Sequence, residues 1–187
     1  IQGMLEDPSY SIYLDTSRRI ELSKLILLYH MYMINYPLIE KNIKSIKNLL
    51  ALKQDDNKSK VAANYLFLYT IELNILLKQK KLLKAKTLLT EVYEPFLAEN
   101  KSLIRVSRSN ILVANIISLY FMLSHFKEVL KLSNDISIPD KDLLRKDILL
   151  GILLMEMIAC YELKIDPLLE SKLRGYTAYI TKEKIKD

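Results

Sequence analysis

Apolar residues recur at helical spacing along nearly the whole chain, and strand-like alternation of apolar and polar positions is absent. The pattern predicts eight helices. The first runs from about Asp15 to Asn35, with Asp15 or Thr16 as its cap. Pro37 suits the first turn of a second helix, where no backbone donor is needed. That helix carries Leu38, Ile39, Ile43, Ile46, Leu49 and Leu50 and stops at Gln54-Asp55-Asp56-Asn57. Ser59 is the expected cap of a third helix from about Lys60 to Lys78. A fourth, about Lys81 to Tyr93, is expected to break or bend near Pro95. A fifth spans about Leu103 or Ser107 to Leu123, and a sixth Phe126 to Asn134. After Ile138-Pro139-Asp140 a seventh runs from about Lys141 to Glu162, with Asp140 as cap. Asp166-Pro167 opens the eighth, which reaches about Ile180.

A long helix, a tight turn and a shorter helix therefore follow one another four times. The second helices align on apolar positions 0, 4 and 7: Ile39, Ile43 and Ile46; Ala85, Leu89 and Val92; Val129, Ser133 and Ile136; Leu169, Leu173 and Tyr176. Their starts lie 46, 44 and 40 residues apart. A drifting period of this size is expected of stacked helical hairpins, none of which buries its apolar face alone. The expected fold is all-α, a right-handed α-solenoid of about four hairpins. Residues 15–187 would form a single such domain after a short extension, 1–14.

The spacing of Tyr120, Ser124, Phe126 and Val129 resembles the signature of a tetratricopeptide repeat, and Leu76, Lys80, Leu82 and Ala85 repeat it more weakly. The motif's glycine and tryptophan positions are not met, and the units are longer than the family's 34 residues. The C-terminal unit, with Met155-Glu156-Met157 and Tyr161-Glu162-Leu163, is similar to the final repeat of large bacterial proteins of this type. The resemblance implies hairpins whose first helices line a concave groove. Tyr65, Tyr69, Asn64, Arg108, Asn110 and Asn115 then become the residues expected to meet a bound peptide, although no full clamp motif is present.

Composition narrows the alternatives. Three Gly and five Pro in 187 residues are too few for turn-rich sandwiches or barrels. One cysteine, Cys160, excludes an internal disulfide, and with two histidines, His30 and His125, no zinc spacing arises. The start has no signal-peptide shape, and the single cysteine is compatible with a reducing, cytoplasmic location, which is the expectation. Gln2-Gly3 before Met4 reads as the scar of a cleaved tag, which would make the chain a piece of a longer protein. The uncharged stretch Ser109–Phe126 holds Asn110, Asn115, Ser118, Ser124 and His125, and it reads as a core helix rather than a membrane span.

Charge is distributed unevenly. Residues 58–110 hold ten basic and four acidic side chains, whereas the segments before and after are balanced. The whole net charge of +6 therefore lies there. Lys78, Lys80, Lys81, Lys84 and Lys86 crowd one predicted turn, and Arg105 and Arg108 open the next long helix. They form either a basic patch for nucleic acid or an acidic partner, or a solvated turn.

No catalytic constellation assembles: there is no phosphate loop, His-Glu-x-x-His motif or nucleophile elbow. No catalytic, metal or cofactor-binding residue is expected. Cys160, in the run Met157-Ile158-Ala159, reads as a small buried hydrophobe. Glu156 interrupts that same apolar run. It either pairs with a neighbouring Lys or Arg or has a functional role, and a pocket gathering it with His30 or His125 would argue for an enzyme. The favoured reading is a non-enzymatic scaffold that binds a protein or peptide on its concave face. The alternatives are a peptide-sensing domain of a larger transcriptional regulator, and nucleic-acid binding through residues 78–108.

Overall fold

The computed structural model describes residues 15–52, 57–104, 106–135 and 145–184. The extension 1–14, the loop stretch 53–56, Arg105, Ile136 and the Ile138-Pro139-Asp140 stop lie outside the described residues. Within them every regular element is helical. We number the helices α1 (Thr16–Tyr32), α2 (Tyr36–Leu52), α3 (Lys58–Lys78), α4 (Leu82–Leu88), α5 (Glu94–Glu99), α6 (Val106–Met122), α7 (Phe126–Asp135), α8 (Lys146–Glu162) and α9 (Asp166–Lys184). A π turn, Leu89–Tyr93, joins α4 to α5, so the two form one irregular helix. The helical segments thus coincide closely with the eight read from the sequence.

Their starts follow local hydrogen bonding. Asp15 caps α1 by accepting from the Arg18 N–H at 2.8 Å. Asn35 accepts from the Leu38 N–H at 3.3 Å, ahead of Pro37. For α3 the cap is Asn57 rather than Ser59: its side chain accepts from the Lys60 N–H at 3.0 Å, and the helix already includes Ser59. Described α8 begins at Lys146, five residues later than expected, behind Arg145. Arg145 holds Asp147 through two hydrogen bonds, 3.1 and 2.7 Å, which keep the Asp147 carboxyl below its ordinary range.

Pro95 does not end its helix. The ring lacks a donor and would collide with the carbonyl of the preceding turn. The wider π turn just before it accommodates both defects. It also inserts one residue into the inward-facing stripe. Ala85 and Leu89 are fully buried as the register requires, but at the third position Tyr93 is buried and Val92 only half so.

Four inter-helix turns share one geometry. Ile34, Lys80, Ser124 and Lys164 all have left-handed backbones, with φ of 53°, 56°, 58° and 55°. They recur at intervals of 46, 44 and 40 residues, the spacing of the aligned second helices. In each, the next residue's N–H reaches back five residues: Asn35 to His30, Lys81 to Leu76, His125 to Tyr120 and Ile165 to Cys160, at 2.9–3.0 Å. The left-handed residue itself donates to the carbonyl three before it, at 3.0–3.2 Å. This is the Schellman arrangement, which satisfies carbonyls that a helix end leaves bare. The next helix starts at once, since Ile39, Ala85, Val129 and Leu169 donate to the carbonyls of Asn35, Lys81, His125 and Ile165.

The chain divides into two compact units, residues 1–75 and 76–187, with the boundary inside α3. In the first, Ile20 and Leu27 of α1, Ile39, Ile43, Ile46 and Leu50 of α2, and Leu68, Ile71 and Ile75 of α3 form one apolar core. In the second, Ala114, Ile117, Val129, Leu130, Ile152, Ala159 and Cys160 form another. There α6 packs on α4 and α7, while α8 packs on α6, α7 and α9. The aligned positions of α7 are buried at Val129 and Ser133. Those of α9 are not: Leu169 and Tyr176 are half-buried and Leu173 is exposed.

A left-handed backbone is costly for a β-branched residue, and Ile34 is largely exposed, so its side chain contributes little packing there. Ile34→Gly is expected to stabilise the protein by about 0.5–1 kcal/mol, read as a higher urea midpoint at unchanged slope. A fall in the midpoint would contradict the assigned turn.

Candidate functional site

Sequence reasoning nominated two groups of residues. Of the peptide-contact group, Asn64, Tyr69 and Asn110 are buried, whereas Tyr65 and Asn115 are half-buried. Arg108 lies in the first turn of α6, with its side chain outside the described residues, as is all of Arg105. In the first unit Tyr65 and Tyr69 stack one turn apart on α3, ring centroids 5.8 Å apart. Lys47 of α2 lies 5.3 Å over the Tyr69 ring and pairs with Glu72 at 2.8 Å. These contacts hold the α2–α3 interface together. The Tyr69 hydroxyl is pushed up to about 12, first by burial and then by the neighbouring Tyr65 and Glu72.

Lys78, Lys80, Lys81, Lys84 and Lys86 are exposed at the α3–α4 turn, and Leu83 among them is 80% exposed.

Glu156, which interrupts the apolar run of α8, is completely buried. Lys172 of α9 brings its Nζ to 3.0 Å from Glu156 Oε1. The approach is a charge contact rather than an aligned hydrogen bond, since neither carboxylate oxygen has a hydrogen-bond partner. Cys160 lies one turn along the same face. Burial pushes its thiol up, Lys172 pulls it down and Glu156 raises it further. The fully buried thiol is thereby kept protonated and unreactive. His125 stacks on Tyr120, centroids 5.8 Å apart. The Tyr120 hydroxyl is raised by burial and by Glu94 and Glu128. His30 is buried beside the Tyr29 ring, and its Nε2 has no hydrogen-bond partner. Among the described residues no group of His, Cys, Asp and Glu is arranged to hold a metal ion.

The structure adds residues beyond these two groups, and among them Tyr29 and Tyr32 stand out in the sequence only as tyrosines on a predicted first helix. On α1, Leu25, Leu28, Tyr29 and Tyr32 are exposed at positions i, i+3, i+4 and i+7, a single stripe, and Tyr32 is 84% exposed. Ile111 and Met122 on α6, and Leu154 and Tyr161 on α8, are exposed in the same manner. All lie on the first helices of hairpins. One signal was available: α1 from Leu25 onward and α8 from Ile148 to Met155 are apolar on nearly every side, and such a stretch is normally enclosed. Helices left apolar on a wet side have a face without a partner.

No family model, no curated protein and no solved structure matches this chain.

Two measurements test these assignments. Lys172→Met should strand the buried carboxylate and destabilise the protein by about 3 kcal/mol, while Glu156→Leu with Lys172→Met should recover most of that loss. Additive losses in a denaturant double-mutant cycle would mean that the pair is not coupled. The second concerns Tyr69, whose hydroxyl is raised in the fold from its ordinary 10.0. The unfolded chain then loses this proton first as pH rises, so the stabilisation is complete below pH 10 and disappears towards about 12. In Tyr69→Phe the urea midpoint should fall less steeply across that range.

Proposed function

We propose that this chain is a non-enzymatic module of helical hairpins, tetratricopeptide-like in construction, that binds an apolar segment of another protein along the exposed faces of its first helices. One observation carries the reading. Exposed large apolar side chains follow helical stripes on those helices: Leu25, Leu28, Tyr29 and Tyr32; Ile111 and Met122; Leu154 and Tyr161. Soluble proteins tolerate scattered exposed leucines, but aligned ones mark contact surfaces. Tyrosine and methionine are favoured there, since one is rigid and amphipathic and the other adapts to irregular partners.

The repeat reading is supported by the four equivalent turns, whose intervals match the register of the second helices.

The test is affinity capture from native lysate, with and without nuclease, using the wild-type chain and a Leu154→Asp, Tyr161→Asp variant. Both changes are at exposed positions, so each should alter stability by no more than about 0.5 kcal/mol. A discrete protein that survives nuclease and is lost from the variant supports the reading. Equal capture by both forms, or capture that vanishes with nuclease, overturns it.

A further inference from the structure

We propose that the α3–α4 turn is a docking site for the surface of an anionic lipid bilayer. The four turns supply their own control. Aligned on the left-handed residue, the positions occupied by Lys78, Lys80, Lys81, Lys84 and Lys86 hold Tyr32, Ile34, Asn35, Leu38 and Glu40 in the first turn. In the third they hold Met122, Ser124, His125, Glu128 and Leu130, and in the fourth Glu162, Lys164, Ile165, Leu168 and Glu170. The backbone geometry is the same each time, so the turn itself does not require lysine. No acidic residue lies in the sequence between Glu72 and Glu91.

The second observation is Leu83. At its position the first and fourth turns carry Pro37 and Pro167, and the third Lys127. Here a leucine stands 80% exposed, with Lys81 and Lys84 beside it in sequence. Partner chemistry follows from this combination. Protein interfaces are depleted in lysine and built around several buried anchors, not one. Nucleic-acid surfaces favour arginine forks and stacking aromatics, and residues 73–90 contain neither. Phosphates also offer nothing to an exposed leucine. An anionic bilayer satisfies both features: flexible lysines meet a diffuse negative surface, and the leucine enters the boundary between headgroups and acyl chains. No described helix is long and apolar enough to cross a membrane, so the contact is peripheral.

The test is co-sedimentation of the full chain with phosphatidylcholine vesicles, with and without about one-third phosphatidylserine, at low and near-physiological salt. Duplex DNA and polyglutamate serve as competitors. The chain should bind only the anionic vesicles, and more weakly as salt rises. Lys84→Gln with Lys86→Gln should lower the partition coefficient about 30-fold, and Leu83→Gln about tenfold. All three positions are exposed and glutamine sustains a helix, so circular dichroism should be unchanged. A control removing the same charge elsewhere, Lys44→Gln with Lys131→Gln, should bind nearly as wild type. Absence of binding to anionic vesicles overturns the proposal. So does an equal loss in the control, indifference to Leu83→Gln, or tighter binding to the duplex or polyglutamate than to the vesicles.

Discussion

A helical hairpin depends on reversing direction within two or three residues without leaving bare carbonyls. In this chain one left-handed residue performs that reversal at positions 34, 80, 124 and 164. A side chain other than glycine pays about 1–2 kcal/mol for that conformation. Two backbone hydrogen bonds offset it by closing the C-terminal turn of the first helix. The geometry then dictates which residues meet. The residue four before the turn is buried at His30, Leu76 and Cys160 and half-buried at Tyr120. The residue five after it is buried at Ile39, Ala85 and Val129. Core composition differs from hairpin to hairpin, but these contact positions do not move.

The same constraint accounts for the charge buried in the last hairpin. Cys160 supplies the carbonyl that anchors the fourth turn, and Glu156 lies one helical turn before it on the face towards α9. Lys172, two turns into α9, comes back alongside. Buried ion pairs add little net stability, because desolvation consumes most of the attraction. Their cost falls on misalignment, since a shifted α9 would leave a fully buried carboxylate without its cation. That matters here because α9 has no buried residue among those described, 166–181, and Leu173 is exposed. Its weak apolar face specifies orientation poorly, and the ion pair sharpens it.

Helix identity and hairpin order were legible because apolar spacing and proline placement are local properties. Ile39, Ile43 and Ile46 stand as buried as their spacing implied. The less legible features depend on tertiary or subtle backbone effects. Asn57 displaces Ser59 as cap by a shift of two residues, within the usual uncertainty of helix ends. The π turn before Pro95 exchanges Tyr93 for Val92, because a backbone hydrogen-bond slip has no composition of its own. Candidate contact residues were harder still. Periodicity assigns Asn64 and Tyr69 to the right helix, but which side of α3 is covered depends on its packing with α1 and α2, contacts distant in sequence. Conversely, Leu154 and Tyr161 are exposed although they lie in or beside the apolar run of α8, because the packing of α8 leaves one side open.

A Schellman turn constrains backbone angles and leaves most side chains around it unspecified. The four turns illustrate that freedom, since isoleucine, lysine, serine and lysine occupy the left-handed position. Residues near such a turn are therefore available for chemistry that the core excludes. The second turn contains five lysines and no acid over residues 73–90. Because the rest of the chain is close to neutral, nearly all of the +6 net charge originates at one place. A localised source produces an oriented field, which draws an anionic surface to that turn before contact. The apolar stripes of α1, α6 and α8 act differently, at short range and through area removed from water. The two proposed functions, orientation by charge and adhesion by apolar stripe, thus fall on different parts of the hairpin, the turn and the first helix, so each could vary without disturbing the other.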